Sequence, residues 1–553
     1  MKSSSAWFRA GRGVLAGSLV CGLALAGGAS SSLTGVPSAN PKSLGIASPN
    51  VLSPDLVEVV VAQGSQPIEN PSELFAYYGY NGDGPMVPLA GTTTEATKTE
   101  PDKNTYLILD GQHGGDAKYN YGTHFLFQGH ESGYKDASVA GGEAGYITRI
   151  NLDADGAHRV TLLASKDTAD KPLPDFDGST WNPFAERLLF TAELGKNGGV
   201  WQATVDYPST VENISSVTGR GGYEGIQNDG DGNLWIVEDV GGGNGDPSTH
   251  AKQPNSFVYR FVPKDRRNLK AGGKLQALQV QSQAHAGPIV FHANQAEADV
   301  QSQDVKDLHT YGLAFHTAWV TIHDTETDGF TPFDANALAK SHDATPFKRP
   351  ENGMFRPKAK FTEFFFTETG DTNALTEAGE DHGGFGALFR LVQSSAAADT
   401  GRLDLFFLCD VEHTGLDNLA FLSDHLLIAV EDAGDTLHGQ RNALDSAYLF
   451  DTKADYSNPS TQPLRILAQG RDASATLDSS LGSVSGFQND GDNEITGIHV
   501  SDGDASVRGI LGSKSPKALS NDESEHAWRV FYTQQHGDNV TYEILRASQP
   551  ARD

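Results

Sequence analysis

Cysteine is nearly absent from this chain: Cys21 lies in an apolar N-terminal run, and Cys409 stands alone in the body. A single cysteine cannot close an intramolecular disulfide, so packing or bound metal must hold the mature fold. Basic residues are scarce too. The 41 Lys and Arg face 71 Asp and Glu, for a formal charge of -30. That balance argues against nucleic acid or an anionic membrane as partner, since both demand clustered Lys and Arg. Beyond the N-terminal run no stretch is apolar for long enough to cross a bilayer, so no membrane span is expected. Long 3.6-residue apolar periods are missing, which counts against a helical body. Among 18 histidines there is no close pair at zincin spacing, and there is no Gly-x-Ser-x-Gly elbow.

What the chain does contain begins with a secretory pattern. Lys2, Arg9 and Arg12 precede the apolar Val14 to Ala26, and Gly27, Gly28 and Ala29 suit cleavage. Residues 1–29 are expected as a signal peptide, lost together with Cys21, and the mature protein is expected outside the cytoplasm, secreted or periplasmic. Residues 30–53, rich in Ser, Pro, Gly and Asn, are expected as a flexible tether. Residues 54–553 are expected as one domain, and the chain as a monomer.

The body is rich in glycine and short β-type runs, which argues for an all-β fold. One phrase recurs, an apolar strand ending on a carboxylate. It appears at Phe125 to Glu131, Leu188 to Glu193, Leu234 to Glu238-Asp239, Phe364 to Glu368 and Leu426 to Glu431-Asp432, with a looser copy from Trp319 to Asp324. Counting that copy, the mean interval is about 60 residues, the size of a four-stranded propeller blade with generous loops. A β-propeller of about six blades with large loops is the expected fold, and a large β-sandwich is the alternative. In a propeller, equivalent strands converge on one axis. Carboxylates distant in sequence would then meet over a central channel, where like charges repel unless cations neutralise them. Oxygen-rich clusters of this type suit hard divalent cations.

Further phrases make the pattern specific. Tyr223-Glu224-Gly225, the Glu238-Asp239 strand end, Arg349-Pro350-Glu351-Asn352-Gly353, Asp417-Asn418-Leu419, the Glu431-Asp432 strand end and Asn493-Glu494-Ile495-Thr496-Gly497 follow one another in the chain. Together they resemble the PhoX-type family of secreted alkaline phosphatases, over roughly Phe125 to Gly503. The resemblance implies a propeller phosphatase whose channel holds calcium and iron and whose substrates are small phosphate esters. Carried over phrase by phrase, it implies Glu193, Glu224, Asp239, Glu351, Glu431 and Glu494 as metal ligands, Asp432 as an addition, and Arg349 as the catalytic phosphate contact. Ca2+ is the expected cofactor, with Fe3+ beside it.

Two departures are visible. The family's iron takes a cysteine ligand just ahead of the strand matching Leu188 to Glu193, where this chain reads Pro174-Asp175-Phe176-Asp177-Gly178-Ser179-Thr180-Trp181. Twin-arginine export is common in the family, yet Arg9 and Arg12 are not adjacent. Beside the phosphomonoesterase reading stand two others: a propeller lactonase or phosphodiesterase, and a non-catalytic extracellular propeller holding structural calcium.

Overall fold

The structure, a computed structural model, describes residues 33–37, 50–84, 96–131, 134–135, 143–245, 251–371, 381–441, 443–469, 494–520, 524–535 and 539–547. The expected signal peptide lies outside them. Antiparallel strands build the body. β1 (Asn50–Leu52) and β2 (Leu56–Ala62) come first. The first blade is β3 (Pro101–Ile108), β4 (His124–His130), β7 (Ile147–Asn151) and β8 (Val160–Ala164), with the short hairpin β5 (Tyr134–Lys135) and β6 (Glu143–Ala144) between its second and third strands. The second is β9 (Ser179–Asn182), β10 (Arg187–Ala192), β11 (Gly199–Ala203) and β12 (Val211–Asn213).

After the one-turn helix α1 (Ser215–Thr218), the third blade runs β13 (Tyr223–Asn228), β14 (Leu234–Glu238), β15 (Val258–Pro263) and β16 (Gly273–Val280). An insertion follows, holding α2 (Ala296–Val300), α3 (Gln303–Leu308), the long β17 (Ala314–Asp324), α4 (Thr325–Asp328) and α5 (Ala335–Ser341). The fourth blade is β18 (Gly353–Phe355), β19 (Glu363–Glu368), β20 (Ala387–Gln393) and β21 (Thr400–Leu408). The fifth is β22 (Leu416–Phe421), β23 (Leu426–Glu431), β24 (Ser446–Asp451) and β25 (Leu464–Gln469), with α6 (Gly434–Arg441) between β23 and β24. The sixth is β26 (Glu494–Ser501), β27 (Arg529–Gln535) and β28 (Val540–Arg546), completed on its outer edge by β2. An N-terminal strand thus closes the C-terminal blade and ties the ring shut.

The all-β propeller of about six blades is therefore the observed fold. Two details correct the sequence reading. The copy ending at Asp324 is no blade's second strand. It is β17, which pairs with the outer strands β16 and β21 and fuses the third and fourth blades into one nine-stranded sheet. An apolar run ending in Asp fits either position, because both are half-buried strands, and only the pairing distinguishes them. The tether expected over 30–53 is also not detached where it is described. Asn50–Leu52 pairs with the open edge of β25, Val36 donates its N–H to the Arg465 carbonyl at 3.0 Å, and Leu33 packs between the fifth and sixth blades.

The core explains why the strands read as continuous apolar runs. Six apolar clusters lie between neighbouring blades, and successive side chains feed opposite interfaces. Phe364 and Phe366 face the third blade, and Phe365 between them faces the fifth. Leu188 and Phe190 face the first blade, whereas Leu189 faces the third. Both faces of every blade are buried, so period-two polarity vanishes and each interface packs as a dry wedge.

Candidate metal centre

Inner strands of the blades begin at one end of the channel, and there the chain repeatedly departs from ideal pairing. β3, β13 and β22 each carry one extra residue against their second strands, between Pro101 and Asn104, Tyr223 and Ile226, and Leu416 and Leu419. Bulges of this kind re-aim side chains beside active sites. Here they contain Asp102-Lys103, Glu224-Gly225 and Asp417-Asn418, so alternate blades each contribute a buried carboxylate. The sixth blade has its bulge between Thr496 and His499, and Gly497 takes the equivalent place. A Cβ there would meet Asn104 Nδ2 and the Asp102 carbonyl at 2.7 Å, so the first blade's approach requires glycine. In the second and fourth blades the carboxylate comes just before the inner strand, as Asp177 and Glu351.

Two threonines lock this ring from blade to blade. The Thr191 hydroxyl donates to the carbonyl of Glu224, and the Thr367 hydroxyl to the carbonyl of Asp417 at 2.7 Å. Gly225 donates its N–H to the Glu351 carbonyl at 2.8 Å, and a side chain at Gly225 would collide with that same oxygen. The carboxylates are therefore held by backbone that has little freedom to relax.

Two triads of acidic oxygens result, each with ligand atoms within 4.8 Å of one another: Glu224, Asp239 and Glu351, all buried, and Glu131, Asp177 and Glu193. In each, residues following a second strand meet a residue that precedes the next blade's inner strand. Burial first, then mutual repulsion, drives the carboxyls of Glu224, Glu351, Asp177 and Glu193 well above their usual range. Glu193 reaches channel solvent, but protein and the charge of Asp239 enclose it. Asp417 is pushed up to about 7, by burial and then by Asp102.

Cations are few in this well. Lys103 is buried, and its ammonium donates to Asn418 and, at 3.4 Å, to Asn352 Oδ1. Burial lowers its pKa against the pull of Asp417, Asp102, Glu224 and Asp177. Arg349, in the left-handed region at φ 57, gives its Nε to both Asp239 oxygens at 3.0 and 2.9 Å. Its NH2 lies 2.7 Å from Asp239 Oδ2 and 3.1 Å from Glu351 Oε1. Glu351 Oε1 is buried and accepts no well-directed hydrogen bond despite that contact. Asn352 Nδ2 beside it is buried without an acceptor.

Sequence-chosen residues thus divide. Glu224, Asp239, Glu351 and Arg349 come together, and Glu193 sits in the adjoining triad. Asp432 is close enough to repel Glu193, Glu351 and Asp417. Glu431 is elsewhere. Arg441 clamps both its oxygens at 2.9 and 3.1 Å, and it accepts the N–H groups of Thr414 and Ser446 at 2.9 and 2.8 Å. Its metal-ligand role is corrected to that of a structural ion pair, because its lone pairs are spent. Glu494 opens β26 ahead of the bulge and joins neither triad. Residues the sequence reading left out of the site are Glu131, Asp177, Asp102, Asp417 and Lys103. Glu131 already ended a recurring strand phrase and could have been included on that signal.

An all-oxygen donor set with crowded, unneutralised charge fits hard cations such as calcium. A thiolate-held iron does not fit. Asp177 occupies the region where the cysteine was sought, and Cys409 is buried in the apolar cluster between the fourth and fifth blades, where burial pushes its thiol well up.

The family model of alkaline phosphatase PhoX matches residues 248–503. That match bears out the resemblance to the PhoX-type family. Among solved structures, Pseudomonas fluorescens PhoX in complex with vanadate, a transition state analogue, is similar at 13% identity and TM-score 0.55, covering 93% of this chain and 98% of that one. At that identity the likeness shows the fold. A Pseudomonas aeruginosa periplasmic gluconolactonase, PpgL, aligns at 14% identity and TM-score 0.31 over 74% of this chain and 95% of its own. No curated protein matches the sequence. Among the described residues, no helix is long and apolar enough to cross a membrane.

Proposed function

We propose that this protein is a secreted, calcium-dependent phosphatase that hydrolyses phosphate monoesters in the propeller channel. The observation that carries this reading is the convergence of Glu224, Asp239 and Glu351 from two blades, with the Arg349 guanidinium meeting the last two. The PhoX family match adds to it. Glu224, Asp239, Glu351, Glu131, Asp177 and Glu193 would hold the cations. Bound there, calcium would supply positive charge facing the phosphoryl oxygens.

The protein's own groups do the rest. Asp239 and Glu351 fix the plane of Arg349, whose fork matches two phosphoryl oxygens. Lys103 steadies Asn352 and Asn418 beneath the carboxylates. The rigid bulged backbone keeps the oxygens at fixed separations, so little reorganisation accompanies the reaction.

A second reading, a non-catalytic calcium-binding propeller, is favoured by the way Asp239 and Glu351 already engage Arg349. Hydrolysis of p-nitrophenyl phosphate by purified protein, with calcium and after chelation, separates the two. Calcium-dependent turnover, with calcium found by metal analysis, is the expected result. Tight calcium binding without turnover would leave the scaffold reading in place.

A further inference from the structure

Between β14 and β15 the chain makes an excursion at the carboxylate end of the third blade, and it is pinned on both sides of Lys252. The Gly245 N–H reaches the Ala251 carbonyl at 2.7 Å, and the Gln253 N–H reaches the Gly243 carbonyl at 2.8 Å. The Gln253 side chain donates to Asp299 Oδ2 in α2 at 2.5 Å and to the His292 carbonyl at 3.0 Å. Lys252 itself donates its backbone N–H to Asp371 Oδ1 at 3.0 Å. Asp371 in turn holds the buried Lys348 ammonium at 3.2 Å, and Lys348 directly precedes Arg349. One network therefore fixes the backbones of Lys252 and Arg349 together.

The side chains differ in what they meet. Lys348 is spent on Asp371, and Arg349 on Asp239 and Glu351. The half-buried Lys252 ammonium has no hydrogen bond or ion pair among the described residues. It nevertheless sits within the electrostatic reach of Arg349, Asp239, Asp371 and Glu351, and burial followed by Arg349 lowers its pKa. A partly desolvated ammonium within the field of a guanidinium, on a backbone tied to the same network, is costly unless an anion joins the two.

We propose that Lys252 is a phosphate-binding residue, pairing with Arg349 to receive the dianionic phosphoryl group of a monoester. This rests on the phosphatase reading for its substrate class. Arg349 contributes a guanidinium charge fixed in place by Asp239 and Glu351, whereas the Lys252 ammonium is a compact point charge that adapts to the oxygen it meets. The pair selects for the doubly charged group. A singly charged diester or a neutral lactone offers less to a second cation.

The test uses the whole secreted protein with calcium, comparing wild type with Lys252→Met and Lys252→Arg. Turnover of p-nitrophenyl phosphate gives KM and kcat, and titration calorimetry with inorganic phosphate gives an affinity that does not depend on turnover. Lys252→Met is expected to raise KM and weaken phosphate binding by about tenfold or more, with a smaller change in kcat and an unchanged melting temperature. Lys252→Arg should recover most of the affinity. If wild type turns over and Lys252→Met equals it in KM and phosphate affinity, the inference is overturned while the phosphatase reading stands. If wild type binds phosphate through Lys252 without hydrolysing the ester, the phosphatase reading falls and the anion site stands. A wild type that neither binds phosphate nor hydrolyses the ester overturns both.

Discussion

Glu238 and Asp239 are neighbours in the chain, yet they serve different parts of the molecule. Glu238 turns into the interface with the second blade, where it accepts the Phe257 N–H and the Tyr259 hydroxyl of its own blade and the Asn336 amide of α5 at 3.2, 2.9 and 3.0 Å. Asp239 faces the channel and holds Arg349. The same division runs around the ring. Glu368 accepts the Lys348 N–H at 2.8 Å and lies 2.8 Å from His309 Nε2, and Glu431 is clamped by Arg441. Glu131, Glu193 and Asp432, each one residue past its strand, lie on the channel side. Alternation along a strand sends the final carboxylate into an interface and the next one to the axis. Inside an interface a carboxylate finds fixed donors. At the axis it finds other carboxylates, so only that second set calls for a cation.

Breaking an interface carboxylate should have the largest effect on stability. Glu431→Ala leaves Arg441 with Asp445 and the carbonyls of Ala443 and Leu444 and strands two buried N–H groups, which should cost about 3–5 kcal/mol in urea denaturation. Calcium affinity of the folded protein should hardly change. Unaltered stability with lost calcium binding would return Glu431 to the metal site.

Channel residues should respond in the opposite sense. Glu224→Gln removes a candidate ligand and one like charge, so calcium affinity should fall at least tenfold by titration calorimetry. The metal-free protein should keep its stability or gain about 1 kcal/mol, because repulsion is relieved. A metal-free variant destabilised as much as Glu431→Ala would erase the distinction between the two sets.

A pH series sharpens the contrast within the interface set. Burial pushes Glu238 up to about 7, and its three hydrogen bonds oppose the shift without cancelling it. The native state thus holds this proton more tightly than the unfolded chain does. Its contribution favours folding below about 4.5, and it is lost as pH rises through about 7. Glu238→Gln should therefore be more stable than wild type at pH 8, by on the order of 2 kcal/mol, and nearly equal to it at pH 4. Among the described residues nothing donates to Glu238 Oε1, so replacing that oxygen by the amide nitrogen breaks no hydrogen bond. Thermal melts at both pH values check this, and a variant less stable at pH 8 would contradict it.

Much of this organisation was legible in the chain. The strand-end phrase marks the second strand of the first five blades. The sixth went unseen because β27 ends in Gln534 and Gln535, amides where the others carry acids. Asp102 gave no local signal and Asp417 only its place in a family phrase, since a bulge is a property of pairing between strands and leaves no periodic trace in either one. Lys103 ends a stretch, Thr92 to Lys103, whose composition suggested an exposed loop, and its burial depends on the ring closing around it. At 174–181 the missing cysteine drew attention away from Asp177, which supplies oxygen to the same cluster. Arg349, chosen from a phrase as a phosphate contact, lies beside Asp239 and Glu351, and its engagement by both could not be read from spacing.

The smallest expected effect concerns how the ring transmits position from blade to blade. Thr191 and Thr367 hold equivalent places in the second and fourth blades, and each hydroxyl donates across to the carbonyl of the next blade's bulged acid, Glu224 or Asp417. Valine keeps the shape and removes the donor. Thr367→Val should cost about 2 kcal/mol, because its hydroxyl also accepts the buried Asn352 N–H at 3.1 Å, so that two hydrogen bonds are lost. Thr191→Val should cost less in stability, about 1 kcal/mol, and more in function, because the freed carbonyl belongs to Glu224 in the buried triad, whereas Asp417 joins neither triad. Calcium affinity should therefore drop severalfold for Thr191→Val and little for Thr367→Val, against the order of their losses in stability. Equal affinities in the two variants would mean that the bulged backbone is held by its own pairing, and that the threonines serve the interfaces alone.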